Sequence, residues 1–245
     1  MKLCILDNDD LDPAVIETYQ SYGAMTQRLL RNAGATDWQM DLFHTPSGQY
    51  PASFDAYDAV LLTGSKADSF SDEPWVVALR QKVNALLAQK KPLLGICFGH
   101  QLIAYCLGAK VGRAPQGWGV GRQAYDWKLE NFPGAPGKND LALLVSHQDQ
   151  VLELPQGATL LASNAHCPVG AYAVDKTAFC VQGHPEFVPE YSRFLLNKRQ
   201  ERLGPLYQPA LDSLPLGHDG LEVARMMIAF VKDAKAASAP KPQPA

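Results

Sequence analysis

No stretch of the 245 residues is apolar for long enough to span a bilayer, so no membrane partner is expected. A charge excess of one sign is also missing. The 22 basic and 25 acidic residues leave a net charge of −3, which argues against a broad electrostatic surface for nucleic acid. The five cysteines (Cys4, Cys97, Cys106, Cys167, Cys180) are odd in number and scattered, with no Cys-x-x-Cys pair. They fit free thiols in a reducing, cytoplasmic compartment better than a disulfide scaffold or a zinc site. The N-terminal run Met1 to Asp7 turns acidic too soon for a secretory signal. There is no internal repeat, no phosphate-cradling glycine loop and no metal-ligand spacing, so neither a cofactor nor a metal is expected. What remains is ordinary globular usage, 47% apolar and 19% charged, with chain enough for one α/β domain over residues 1–235. The Ala/Pro/Lys-rich residues 236–245 read as a disordered tail.

Residues 2–6 form a short apolar run that predicts a buried first strand ending in an acidic loop. Asp12-Pro13 starts a helix, and Val15, Tyr19, Tyr22, Met25 and Leu29 lie on one face of it until Asn32-Ala33-Gly34. Residues 38–43 and 59–62 are the next strands. A helix from near Asp72 and Pro74 to Lys90-Lys91-Pro92 follows, then a strand to Ile96 and a helix from Phe98 to Leu107. This alternation predicts a three-layer α/β fold of flavodoxin-like type, a mostly parallel sheet with helices on both faces. Past Gly108 the strand-like runs 120–129, 141–145, 158–162, 169–174 and 178–182 predict a β-rich continuation of the sheet or a small antiparallel annex. Residues 188–202 and 220–234 read as helices.

The sharpest feature is Gly95-Ile96-Cys97-Phe98-Gly99-His100-Gln101, at a strand-to-helix junction. Glycines on both sides of Cys97 allow a tight elbow that lifts its side chain off the sheet edge. The free N–H groups of the helix would stabilise a thiolate there, and that of Phe98 would receive an oxyanion. The competing reading is a buried structural cysteine, which is kept for Cys4, Cys106, Cys167 and Cys180. The flanking glycines single out Cys97.

Val181-Gln182-Gly183-His184-Pro185-Glu186-Phe187 ends the last predicted strand. Pro185 holds His184 extended, so His184 and Glu186 project to one side and the carboxylate can orient the imidazole. Beside a thiol this gives a Cys-His-Glu arrangement for nucleophilic catalysis; alone, the tripeptide is equally a simple turn. Leu62-Thr63-Gly64-Ser65 closes another strand, where the N–H groups of Gly64 and Ser65 could meet a substrate oxygen. An ordinary β-to-α turn is the alternative. All three segments fall at carboxyl ends of predicted strands, where open α/β sheets place their sites. His100 is read as structural, and His44, His166 and His218 as surface or loop residues.

Together, Gly-Ile-Cys-Phe-Gly-His-Gln and Gly-His-Pro-Glu resemble class I, triad-type glutamine amidotransferase domains. Thr63-Gly64-Ser65, Asp68, Phe70, Pro74-Trp75, Leu79, Gly108 to Gly112 and Gly117-Trp118 resemble the stand-alone, GMP-synthase-like branch, which plant γ-glutamyl peptidases share. Ser146-His147-Gln148-Asp149 resembles the Ser-His-x-Asp segment bordering the glutamine pocket. The resemblance covers residues 1–200 and implies glutaminase chemistry. Cys97 would attack a γ-carboxamide, Gly64 and Phe98 would hold the oxyanion, and His184, oriented by Glu186, would protonate the leaving amine. Gln101 would position the substrate, with His147 and Asp149 near its amino-acid end. No ATP-using domain is evident, so ammonia would pass to a separate synthetase partner. Alternatively, the enzyme hydrolyses small γ-glutamyl compounds. A non-catalytic regulatory module and a dienelactone-hydrolase-like cysteine hydrolase are the remaining readings; the intact triad opposes the first, and the His-Pro-Glu order and Gln101 the second.

Overall fold

In a computed structural model that describes residues 1–238, the chain begins with β1 (Lys2–Asp7), α1 (Pro13–Tyr19), α2 (Tyr22–Asn32), β2 (Gln39–His44) and β3 (Ala59–Leu62). It continues through α3 (Pro74–Ala88), β4 (Leu93–Ile96), α4 (Phe98–Cys106), β5 (Val111–Arg113), β6 (Gly119–Trp127), β7 (Asp140–His147) and β8 (Asp149–Val151). Then come β9 (Thr159–Ser163), β10 (Ala171–Val174), β11 (Ala178–Val181), α5 (Pro189–Lys198), α6 (Gln200–Leu203), α7 (Tyr207–Ser213) and α8 (Gly220–Ser238). No helix among the described residues is long and apolar enough to cross a membrane.

Nine strands form one sheet in the order β2-β1-β3-β4-β11-β10-β9-β6-β7. The first five are parallel, and β10, β9, β6 and β7 extend the sheet in antiparallel fashion. The β-rich half thus joins the main sheet, and the separate antiparallel annex is the β5–β8 pair alone.

The period-2 alternation of the parallel strands builds both faces. Leu3, Ile5, Ala59, Leu61, Leu94, Ile96, Phe179 and Val181 face one core, shared with Leu30 of α2 and Val223, Met226, Met227 and Phe230 of α8. Cys4, Leu6, Val60, Leu62, Leu93 and Cys180 face the other, with Val76, Leu79 and Val83 of α3 and Phe98, Leu102 and Ile103 of α4. Each fully buried leucine or phenylalanine contributes about 1.5–3 kcal/mol, so these two layers fix the parallel half. A third apolar cluster, including Leu144, Phe187, Tyr191, Leu195 and Leu203, lies under α5 to α7.

Three sequence expectations change. The helix begun at Asp12 is two helices. Asp12 caps the first through Ala14 N–H, but Gln20 takes φ 65° and Ser21 caps the second through Ala24 N–H. The 188–202 helix likewise breaks at Arg199 into α5 and α6. The last helix continues to Ser238, so residues 236–238 of the expected tail are helical; 239–245 lie outside the described residues.

Candidate active site

The site grows from three neighbouring parallel strands, β3, β4 and β11. Their registers align Leu62 with Gly95 and Ile96 with Val181, so the loops that follow leave the sheet side by side. Those loops carry Gly64, Cys97 and His184. Cys97 N–H donates to Val181 O at 2.9 Å, tying the elbow to the strand that leads to His184.

Cys97 sits at φ 50°, ψ −101°, a backbone conformation that L residues rarely adopt. The glycines hold it there by close approach. A Cβ on Gly95 would stand 2.8 Å from Gly99 C, and one on Gly99 only 2.4 Å from Leu62 O. The N–H groups of Phe98, Gly99 and His100 form the first turn of α4, where no helical carbonyl precedes them.

His184 is buried. Its Nδ1 lies 2.7 Å from Glu186 Oε1, and its ring stacks on Phe187 at 3.8 Å between centroids. His184 N–H donates to Leu144 O at 2.8 Å, which anchors the segment to β7. Burial acts to lower the His184 pKa, but the charges of Glu186 and Cys97 outweigh it and hold the pKa at about 10. Gly64 packs against this pair: a Cβ there would be 2.7 Å from His184 Cε1 and 3.7 Å from Cys97 Cβ.

The acidic loop after β1 fastens the Thr63-Gly64-Ser65 segment. Asn8 N–H donates to Thr63 Oγ1 at 2.9 Å, and its Nδ2 to Thr63 O at 3.0 Å. Lys66 N–H donates to Asp9 Oδ2 at 2.7 Å. Ser65 lines the cleft, with its Oγ accepting from Ala67 N–H.

Cys97, His184, Ser65, Gln101, His147 and Asp149 open on one cleft of about 230 Å3. Gln101 turns its Nε2 to Asp149 O at 2.8 Å and Gln182 Oε1 at 3.2 Å, so that amide group binds the wall of the site. His147 is buried and its pKa is pushed down to about 3, chiefly by desolvation, which leaves a neutral imidazole. Asp149 faces Asp68. Burial and that second carboxylate raise its pKa to about 6, against the pull of Arg113, whose Nε is 3.3 Å away.

Sequence reasoning missed Gln182, which is fully buried and donates its Nε2 to Cys97 Sγ at 3.5 Å. Strand alternation was the available signal: Gln182 follows Cys180 on the α4 side, a lone amide ending an apolar strand. It also missed Phe187, whose ring backs His184, and the cleft-lining Tyr22, Arg113, Arg199 and Arg202. His100 is buried under Tyr172, as a structural residue. His166 and His218 lie in loops, as expected, while His44 ends β2. His166 turns its ring toward His147, 6.1 Å between centroids, and His218 Nδ1 accepts from Gly220 N–H. His44 is half-buried and pairs with Asp10 at 3.1 Å.

Comparison with known proteins converges on one family. The model for glutamine amidotransferase class-I matches residues 14–199. Gamma-glutamyl peptidase 3 of Arabidopsis thaliana is 38% identical over 179 residues, spanning 70% of this chain and 72% of the plant protein. A glutamine-hydrolyzing GMP synthase of Caldicellulosiruptor saccharolyticus is 40% identical over 113 residues, 43% of this chain and 22% of the synthase. The crystal structure of a glutamine amidotransferase from Thermotoga maritima shares the fold, with TM-score 0.73 over 96% of this chain and 99% of its own at 19% identity. The chain belongs to the class-I glutamine amidotransferase family.

Proposed function

We propose that the protein hydrolyses γ-glutamyl amide bonds through a thioester on Cys97, with His184 and Glu186 completing a Cys-His-Glu triad. The observation that carries this is the convergence of a strained Cys97, the Glu186-paired His184 and Gly64 beside a polar cleft. The Cys97 thiolate adds to the γ-carbonyl carbon, and the N–H groups of Phe98 and Gly64 receive the oxyanion. As the C–N bond breaks, the His184 imidazolium gives its proton to the departing amine or ammonia. Water then adds to the thioester and passes a proton to His184; glutamate leaves and the thiolate–imidazolium pair is restored. Glu186 keeps the imidazole in place and charged. Gln182, held by Gln101, donates to the sulfur. Asp149 and Asp68, at the amino-acid end beside His147, receive the substrate ammonium.

Glutamine is the smallest such substrate, and the kinship with GMP synthase supports ammonia delivery to a separate synthetase partner. A second reading, a γ-glutamyl peptidase, is favoured by four Arabidopsis relatives of that name at 33–38% identity. Ammonia release from glutamine and amine release from a γ-glutamyl dipeptide, measured side by side, separate the two. Cys97→Ser should abolish both. Activity that survives this substitution would remove Cys97 from the chemistry.

A further inference from the structure

Gly64 is buried beside Cys97 and His184, and among the described residues its N–H donates to no acceptor. A buried N–H without a partner is rare, and this one stands next to two residues that line the cleft. Its direction is set by its peptide plane. Thr63 C=O and Gly64 N–H share one trans peptide, so they point in opposite directions. Whatever holds Thr63 O therefore aims the Gly64 N–H.

Asn8 holds it. Its Nδ2 donates to Thr63 O at 3.0 Å, and its backbone N–H donates to Thr63 Oγ1 at 2.9 Å. The far end of the amide is committed too, because Thr45 Oγ1 donates to Asn8 Oδ1 at 2.8 Å. A carbonyl only accepts, so the group facing Thr63 O has to be the amide nitrogen, and the Thr45 hydroxyl enforces the same orientation from the other side. Asn8 follows β1, Thr45 follows β2 and Thr63 follows β3, so the clamp spans the carboxyl ends of three adjacent strands. All three residues are fully buried, where water does not compete for these bonds. Asn8 does not line the cleft; it reaches the chemistry only through the 63–64 peptide.

We infer that Asn8 is a positioning residue for the reaction: by clamping Thr63 O it aims the Gly64 N–H at the oxyanion that forms when Cys97 attacks the carbonyl. This rests on the thioester reading above. The test measures kcat and KM on glutamine and on γ-glutamylglycine, together with the rate at which iodoacetamide alkylates Cys97. Alkylation needs the thiolate but builds no oxyanion, so it reports on the elbow without the Gly64 donor. Asn8→Ala should lower kcat on whichever substrate is turned over by about 10²-fold, the loss expected for one oxyanion donor. KM should change by less than about threefold, and alkylation should stay within about twofold of wild type. Thr45→Val leaves Asn8 in place but frees the far end of its amide; it should lower kcat about tenfold in the same pattern. An unchanged kcat in Asn8→Ala would overturn the inference. So would turnover and alkylation falling together, which would make Asn8 a support of the elbow as a whole. Should Asn8→Ala not fold, Thr45→Val decides on the same readouts. Wild-type protein that turns over neither substrate would instead overturn the thioester reading, and the inference with it.

Discussion

Glu186→Gln keeps a hydrogen-bonding side chain beside His184 and removes its charge. The His184 pKa of about 10 depends on that charge, because burial alone pulls it down. With Glu186 present, the imidazolium persists through neutral pH, and kcat/KM should fall only as pH rises toward 10. In the variant the alkaline limb should move below neutrality, with a loss at pH 7 of about 10²–10⁴-fold. A pH–rate profile checks both. The sign for stability agrees: a raised pKa gives a contribution fully present below the ordinary histidine value and lost as pH climbs to about 10. Gln182→Leu removes the donor to Cys97 Sγ and should slow alkylation of Cys97 by iodoacetamide about tenfold at neutral pH. The elbow at Cys97 and the pairing of His184 with Glu186 were legible in the sequence because flanking glycines and an i, i+2 spacing impose geometry locally. Gln182 was not, since its contacts with Cys97 and Gln101 come from 85 and 81 residues away in the chain.

Between elements, the elbow depends on how closely α4 approaches β3. A Cβ on Gly99 would meet Leu62 O at 2.4 Å and Leu62 Cβ at 2.7 Å, backbone and core that have nowhere to move. Gly99→Ala should therefore cost about 3 kcal/mol. Gly108, at φ 80° with nothing within 4 Å of a would-be Cβ, carries only its backbone preference; Gly108→Ala should cost about 1 kcal/mol. Thermal denaturation of the two variants should show the first melting well below the second; equal melting points would contradict the close-approach argument. Most element positions followed from periodicity, but the break at Gln20 did not. Val15, Tyr19 and Tyr22 keep one helical face across it, so the pattern is the same for one helix or two. Just past the break at Gln20, Tyr22 stacks on Phe187 at 6.1 Å and accepts from Tyr191 Oη–H at 2.9 Å, contacts with residues far along the chain that no local pattern shows.

Across the molecule, strand alternation and apolar runs pointed to the parallel half, because both faces of β1, β3, β4 and β11 are buried. Where the antiparallel strands would dock was open to two arrangements. Their order β10-β9-β6-β7 is decided by a pairing between non-consecutive strands, Trp127 of β6 with Ala162 of β9, that no local pattern encodes. The sheet sets the loops of β3, β4 and β11 side by side, so three short motifs from distant parts of the chain meet at one cleft. That meeting is tested most directly by trapping the intermediate. Protein mixed with γ-glutamylglycine and quenched in acid within one turnover should carry the mass of one γ-glutamyl group on the peptide containing Cys97, and Cys97→Ser should carry no thioester there. Turnover of that substrate with Cys97 never modified, or with the adduct on another residue, would contradict the account.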